Sequence, residues 1–186
     1  MLIHLIRHTK PEIAAGICYG QTDLELASSF TQEADTVLSK LLPHYDAVFT
    51  SPLKRCASLA AKIKTSKTIS DARLMEYNFG DWEMLKWNDL STDEAKNWMN
   101  DFVEQTPPNG ENMIAMQERV MDFWSELHAL EYENIAVVCH AGVIRLIHAE
   151  IFKTPLEYTF RLQLDYGAVI EVQSDLKLKI YTIKYC

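Results

Sequence analysis

Apolar positions along this chain follow two rhythms: short unbroken runs, and longer stretches in which apolar residues recur every three or four positions. The first run, Leu2-Ile3-His4-Leu5-Ile6, is too short for a helix and too apolar for a surface segment. It reads as a strand buried on both faces, the kind found inside a parallel sheet. Ala47-Val48-Phe49-Thr50 and Ile135-Ala136-Val137-Val138-Cys139 read the same way, and Thr68-Ile69-Ser70 is a weaker strand. Ala168 to Val172 and Leu178 to Ile183 read as two strands joined by a polar turn at Ser174-Asp175, an antiparallel hairpin.

The helical rhythm fills the gaps. Ala34, Val37, Leu38, Leu41 and Leu42 mark a helix from about 28 to 42, with Ser29-x-x-Gln32 as a capping box and Pro43 as the stop. Leu53, Cys56, Leu59, Ala60 and Ile63 mark another, for which Ser51 is the expected N-cap and Pro52 the first helical residue. Met113, Met116, Val120, Phe123, Trp124 and Leu127 predict a helix over roughly 111–130, and Val143, Leu146, Ile147 and Ile151 one after His140-Ala141-Gly142. Residues 71–110 interrupt the pattern with Trp82, Trp87, Trp98 and the turn Pro107-Pro108-Asn109-Gly110. One or two helices in an insertion are expected there. The whole predicts an α/β protein: a three-layer α/β/α sandwich with a mostly parallel central sheet, residues 1–186 forming one domain with a helical insertion at about 71–110.

Composition narrows the partners. A net charge of −8 argues against nucleic acid or an anionic membrane, both of which need a basic surface. It leaves room for a small anionic substrate, which responds to local charge. The first apolar run is too short and too charged for a leader peptide, and no apolar run reaches the length of a membrane span. Cys18, Cys56, Cys139 and Cys186 form no C-x-x-C pair, so a reduced, cytoplasmic protein is expected, for which a homodimer is compatible.

Three buried strands end in chemistry. Arg7-His8 follows the first, Ser51 and Arg55 the second, and His140 the third. In open parallel sheets the carboxyl ends of the strands share one edge, where ligands bind. Two arginines and two histidines there make a cationic pocket in an acidic chain, suited to a phosphate dianion. Arg presents a planar fork that pairs two phosphate oxygens at once, and helix starts after Ser51 and Ala141 would add backbone N–H donors. A zinc site built from His4, His8 and His140 is the competing reading. Arg7 and Arg55 would repel the metal, and no acidic residue adjoins those histidines, so no metal is expected. His4 reads as a core residue, and His44, His128 and His148 as surface or helix-face residues.

These residues also carry a resemblance. Leu5-Ile6-Arg7-His8-Thr9, Ser51-Pro52-Leu53-Lys54-Arg55-Cys56, Leu74-Met75-Glu76-Tyr77-Asn78-Phe79-Gly80-Asp81-Trp82-Glu83, Pro108-Asn109-Gly110-Glu111 and His140-Ala141-Gly142-Val143-Ile144-Arg145 resemble, in order, the signatures of the histidine phosphatase (phosphoglycerate mutase-like) superfamily. The resemblance implies that His8 is the nucleophile, that Arg7, Arg55 and His140 hold the phosphoryl group, and that Glu76 is general acid and then base. It implies hydrolysis of a small phosphate monoester with no cofactor and no metal. The residue types suit that chemistry: a neutral imidazole is a competent nucleophile near pH 7, and a covalent intermediate divides one hard displacement into two easier steps.

The chain departs from the family at Thr9, where glycine is usual, at Lys10-Pro11, and at Ala14, where many members carry a phosphate-contacting asparagine. Gly20, by its backbone, and Gln21, by its amide, are candidate substitutes. Within the family, Cys18-Tyr19-Gly20-Gln21-Thr22-Asp23-Leu24 and Asn78-Phe79-Gly80-Asp81-Trp82-Glu83-Met84 are most similar to the α-ribazole phosphatase branch. Trp82, Trp87, Trp98 and Phe102 would then stack on an aromatic base, or else form the insertion's own core. The alternatives are a mutase, a phosphatase of sugar phosphates or phosphoproteins, and a non-catalytic phospholigand-binding module.

Overall fold

The computed structural model describes residues 1–90, 93–175 and 180–186. Its described strands form one sheet in the order β3-β2-β4-β1-β5-β6. They are β1 (Leu2–Arg7), β2 (Ala47–Thr50), β3 (Thr68–Ser70), β4 (Asn134–Cys139), β5 (Val169–Asp175) and β6 (Ile180–Tyr185). The first four run parallel; β5 is antiparallel to β1, and β6 to β5. The expected mostly parallel sheet with a terminal antiparallel pair is therefore present. The expected turn at Ser174-Asp175 is not there: both residues belong to β5, and the connection to β6 lies outside the described residues.

The unbroken apolar runs are explained by burial on both faces. Ile3 and Leu5 of β1, Phe49 of β2 and Ile135, Val137 and Cys139 of β4 pack on one side, against α4 (Met113–His128) and α5 (Ala141–Phe152). Ile6, Val48, Ala136 and Val138 face the other side, where α1 (Phe30–Leu38) supplies Ala34 and Val37 and α2 (Lys54–Ala60) supplies Cys56, Leu59 and Ala60. Helices on both faces of the sheet give the three layers. β1 leads through α1 on one face toward β2, and β4 leads through α5 on the opposite face toward β5. β1 and β4 are neighbours, so the connections diverge between them and leave a crevice at their carboxyl ends.

Helix starts differ from expectation where side chains found better partners. Ser29 stands at the N-cap position of α1 as expected, but its hydroxyl donates to Glu33 at 2.6 Å rather than capping the first turn, and the helix ends at Leu38 rather than near 42. Ser51 does not cap α2, which begins three residues later with Leu53 at the cap position. The first helical amide, Lys54 N–H, donates to Asp23 at 2.7 Å.

Among the described residues of 71–110 there are short 3₁₀ turns at Ala72–Leu74, Gly80–Trp82 and Trp87–Asp89, and one α-helix, α3 (Asp93–Asn100). Trp98 of α3 is the centre of an aromatic cluster with Tyr77, Phe79, Trp82, Trp87 and Phe102, all with ring centroids within 6.3 Å of its own. Cys18, Cys56 and Cys139 are buried free thiols and Cys186 an exposed one. Among the described residues no helix is long and apolar enough to cross a membrane.

Phe123 of α4 meets Phe49 of β2 edge-on at 5.5 Å and is 1% exposed. Phe123→Ala removes that contact and leaves a cavity between helix and sheet. It is expected to lower unfolding free energy by about 3–5 kcal/mol, read from urea denaturation with the slope m unchanged.

Candidate active site

The parallel register places the candidate residues side by side. Arg7 of β1 is level with Cys139 of β4, and His8 N–H donates to the Cys139 carbonyl at 3.0 Å. Ser51 N–H donates to the Val138 carbonyl at 3.0 Å, bringing the end of β2 to the same edge. The His8 and His140 rings stand edge to face with centroids 5.0 Å apart.

His8 is 1% exposed, and its Nδ1 lies 2.7 Å from the Thr9 carbonyl oxygen. A carbonyl only accepts, so Nδ1 carries the proton and Nε2 keeps its lone pair. Burial and then the charge of Arg55 push the imidazole down to about 3, with Arg7 adding to the effect against the Thr9 bond. His140 is fully buried, and burial, His8 and Arg55 hold it well below the ordinary histidine range. Both rings are therefore neutral near pH 7. His140 acts as a hydrogen-bonding imidazole, its Nε2 2.8 Å from Ser51 Oγ and 3.4 Å from Cys56 Sγ.

The two arginines are held by backbone carbonyls. Arg55, 0% exposed, donates to the Gly20 and Thr22 carbonyls at 2.6 and 2.8 Å. Arg7 donates to the Leu164 carbonyl. On each, the buried Nε–H has no partner. An unsatisfied buried donor costs about 1–3 kcal/mol, and more on a charged group, and each guanidinium keeps one donor that no protein group among the described residues satisfies.

Glu76 reaches this pocket from the long segment between β3 and α3. Its Oε1 accepts from Tyr77 N–H at 3.0 Å and its Oε2 from Gly142 N–H, in the first turn of α5, at 3.3 Å. A Cβ on Gly142 would stand 2.2 Å from Glu76 Oε1, so glycine there makes room for the carboxyl. The Glu76 carbonyl accepts from Gln21 Nε2 at 3.0 Å and from Arg119 at 3.1 Å. Arg119 is itself gripped by both oxygens of Glu111, at 2.7 and 3.0 Å.

The neighbouring acids are otherwise engaged. Glu83 accepts from the backbone N–H groups of Gln21, Thr22 and Phe79. Burial opposes its ionisation, but these bonds and the Thr22 hydroxyl prevail and hold the carboxyl below its usual range. Asp81 is exposed and accepts from Asn109.

A cavity of about 320 Å³ runs from Arg7 and His8 past Glu76, Ala141 and Gly142 to a wall of Phe79, Trp87, Trp98, Met113, Met116 and Phe160. Trp82 is not part of that wall; it is buried against Trp98, as a core residue of the cluster. Gly20 and Gln21 are placed behind the site: Gly20 offers its carbonyl to Arg55, and Gln21 ties the loop after β1 to Glu76. His4 lies between Tyr45, which its Nδ1 contacts, and Glu171, 3.4 Å from its Nε2. Sequence reasoning missed Tyr19, Arg119, Arg145, Phe160 and Tyr166. Of these, Tyr19 and Arg145 stood inside recognised motifs; Tyr19, Arg145 and Phe160 line the cavity, while Arg119 and Tyr166 touch the Glu76 carbonyl and Arg7 from outside it.

The profile of the histidine phosphatase superfamily (branch 1) matches residues 3–179. The chain is 30% identical over 193 residues to an adenosylcobalamin/α-ribazole phosphatase of Escherichia coli strain K12, covering 99% of this chain and 94% of that one. It is 31% identical over 177 residues to the protein of the same name in Salmonella typhimurium, covering 90% and 87%. The crystal structure of the α-ribazole phosphatase from Shigella flexneri superposes with a TM-score of 0.85 at 28% identity, covering 100% of this chain and 95% of that one.

The histidines give a testable pH dependence. Unfolded histidine binds its proton near pH 6.5, whereas folded His8 does so only near 3. Between those values the unfolded state holds more protons, so stability is full above about 6.5 and is lost as pH falls. Urea midpoints at pH 7.5 and 5 in phosphate-free buffer should show that loss in the parent chain. The difference should shrink by about 1 kcal/mol per pH unit in His8→Asn.

Proposed function

The chain belongs to branch 1 of the histidine phosphatase superfamily and is a phosphoric monoester hydrolase; we propose that it works through a phosphohistidine on His8, without a metal ion, and that its substrate is α-ribazole 5′-phosphate. The observation that carries the mechanism is the state of His8. It is neutral, its Nδ1–H is fixed on a carbonyl, and its Nε2 lone pair is free beside two guanidiniums with unpartnered donors.

In the first step His8 Nε2 attacks phosphorus. The P–N bond forms as the ester P–O bond breaks, and the leaving oxygen takes a proton from Glu76. Arg7, Arg55 and the neutral His140 hold the phosphoryl oxygens, the guanidiniums supplying positive charge where many phosphoryl-transfer sites use magnesium. In the second step the Glu76 carboxylate takes a proton from water, whose oxygen attacks phosphorus. The P–N bond breaks, orthophosphate leaves, and His8 is regenerated. General acid help at the leaving group is worth about 10²–10⁴-fold. Glu76 suits this role because it is the acid of its segment that lines the cavity, whereas Glu83 is saturated by loop amides.

Two things support the substrate. The named relatives with the alignments given above are α-ribazole phosphatases. The cavity beyond Glu76 is walled by Phe79, Trp87, Trp98 and Phe160, flat apolar surfaces that suit the aromatic base of a ribazole.

Rapid acid and alkaline quench of the enzyme with labelled substrate should trap an acid-labile, alkali-stable phosphoryl group on His8. His8→Ala should lose it and at least about a thousandfold in kcat. Full activity in His8→Ala sinks the mechanism, and tight binding of phosphate esters without turnover would leave a binding module. On a panel of α-ribazole 5′-phosphate, phosphoserine, 3-phosphoglycerate and sugar phosphates, kcat/KM should be highest for the first. A place among the poor substrates removes the specific assignment while leaving the phosphatase mechanism intact.

A further inference from the structure

Each arginine of the phosphate pocket is held twice by one loop. Arg55 donates to the carbonyls of Gly20 and Thr22, and the ring of Tyr19, beside them in sequence, lies 5.5 Å from the Arg55 guanidinium carbon. Arg7 donates to the Leu164 carbonyl, and the ring of Tyr166, two residues on, lies 4.0 Å from the Arg7 guanidinium carbon and 5.7 Å from the His8 ring. The two loops are 147 residues apart in sequence at these tyrosines, whose hydroxyls hydrogen-bond to each other at 2.6 Å.

We infer that Tyr19 and Tyr166 are positioning residues that set the separation and tilt of the two phosphate-holding guanidiniums through the bond between their hydroxyls. The inference rests on the reading of Arg7 and Arg55 as the phosphoryl clamp. Its physical basis is the kind of contact a tyrosine makes. A ring lies over the face of a guanidinium and leaves the edge donors free for the anion, whereas a carbonyl consumes a donor. Tyrosine is also neutral, so it braces the cation without cancelling the charge that attracts phosphate, as a carboxylate would. Burial and the bond to Tyr166 keep the Tyr19 hydroxyl protonated well above its ordinary range, so the link persists at working pH. Tyr19 and Tyr166 are half-buried and 38% exposed respectively, so the brace sits at the rim of the site rather than in the core.

The test is the inhibition constant for orthophosphate in Tyr19→Phe, Tyr166→Phe and the double variant, with kcat and thermal midpoint measured alongside. Each single change keeps both rings and removes the same hydrogen bond. Each should weaken phosphate inhibition about three- to tenfold, and the double variant should match the singles rather than multiply them. Tyr166→Leu, which also removes the ring over Arg7, should weaken it further than Tyr166→Phe. Thermal midpoints of the Phe variants should stay within about 2 °C of the parent. Unchanged inhibition, multiplying effects, or losses that track the thermal midpoint overturn the inference. Arg7→Met separates the levels: if it leaves phosphate inhibition intact, the clamp itself is wrong, and if it weakens inhibition while the Phe variants do not, only the brace falls.

Discussion

Positive charge buried without negative charge is the constraint around which this molecule is arranged. Among the described residues no carboxylate pairs with Arg7 or Arg55, and Arg55 is wholly out of water. Desolvating a guanidinium costs several kcal/mol after relaxation, and a pairing acid would recover much of it. Here the recovery comes from carbonyl dipoles of two loops and from aromatic faces. Those partners are neutral, so the pocket keeps its field. Burial, reinforced by the same field, strips the proton from His8 and His140. On the proposed mechanism, the nucleophile is thus prepared by the same feature that binds the phosphate.

That arrangement demands a scaffold stiff enough to hold unsatisfied donors in place. β1 and β4, apolar on both faces, supply it at the point where their connections diverge. The acid has to come from elsewhere, because a carboxylate on the same strands would neutralise the guanidiniums. Glu76 instead arrives on a loop fixed by a relay of hydrogen bonds: Glu111 grips Arg119, and Arg119 together with Gln21 binds the Glu76 carbonyl. Glu83 clasps the loop after β1 onto the same segment. Two acids of the recognised motifs, Glu83 and Glu111, therefore spend their charge on loop geometry, and Glu76 keeps its side chain toward the cavity.

The strands were legible, and so were the termini of the central β1, β2 and β4, because burial on two faces leaves a run of apolar residues whatever the tertiary detail. Arg7-His8 and His140 stood out as charge at the ends of such runs. Helix starts were less legible. Ser51 has the chemistry of a cap, but the fold offers its hydroxyl a histidine instead, and a local rule has no view of a partner 89 residues away. The tryptophans of the inserted segment divide for a similar reason. Trp87 and Trp98 line the cavity and Trp82 does not, a distinction set by which side of the cluster each ring takes. Tyr19 stood inside a recognised motif and Tyr166 in none, and their pairing was invisible because it joins segments 147 residues apart.

Thr9 departs from the family's usual glycine in the turn after His8. Glycine is obligatory only where the backbone enters the left-handed region or where a Cβ has no space. Among the described non-glycine residues positive φ occurs at Met84, Asn109 and Lys153, not at Thr9. The turn's task is to present a carbonyl to His8 Nδ1, and Thr9 does so at 2.7 Å. A carbonyl is common to every residue, so this contact does not depend on the side chain; Thr9 is 0% exposed and its buried hydroxyl has no partner among the described residues. Lys10 and Pro11 then anchor the turn from outside: Lys10 N–H donates to Glu33 at 2.8 Å, and Pro11 bridges to Leu26. The tautomer of His8 is thus set by a backbone carbonyl that Thr9 supplies without a positive φ, and it does not require glycine at this position.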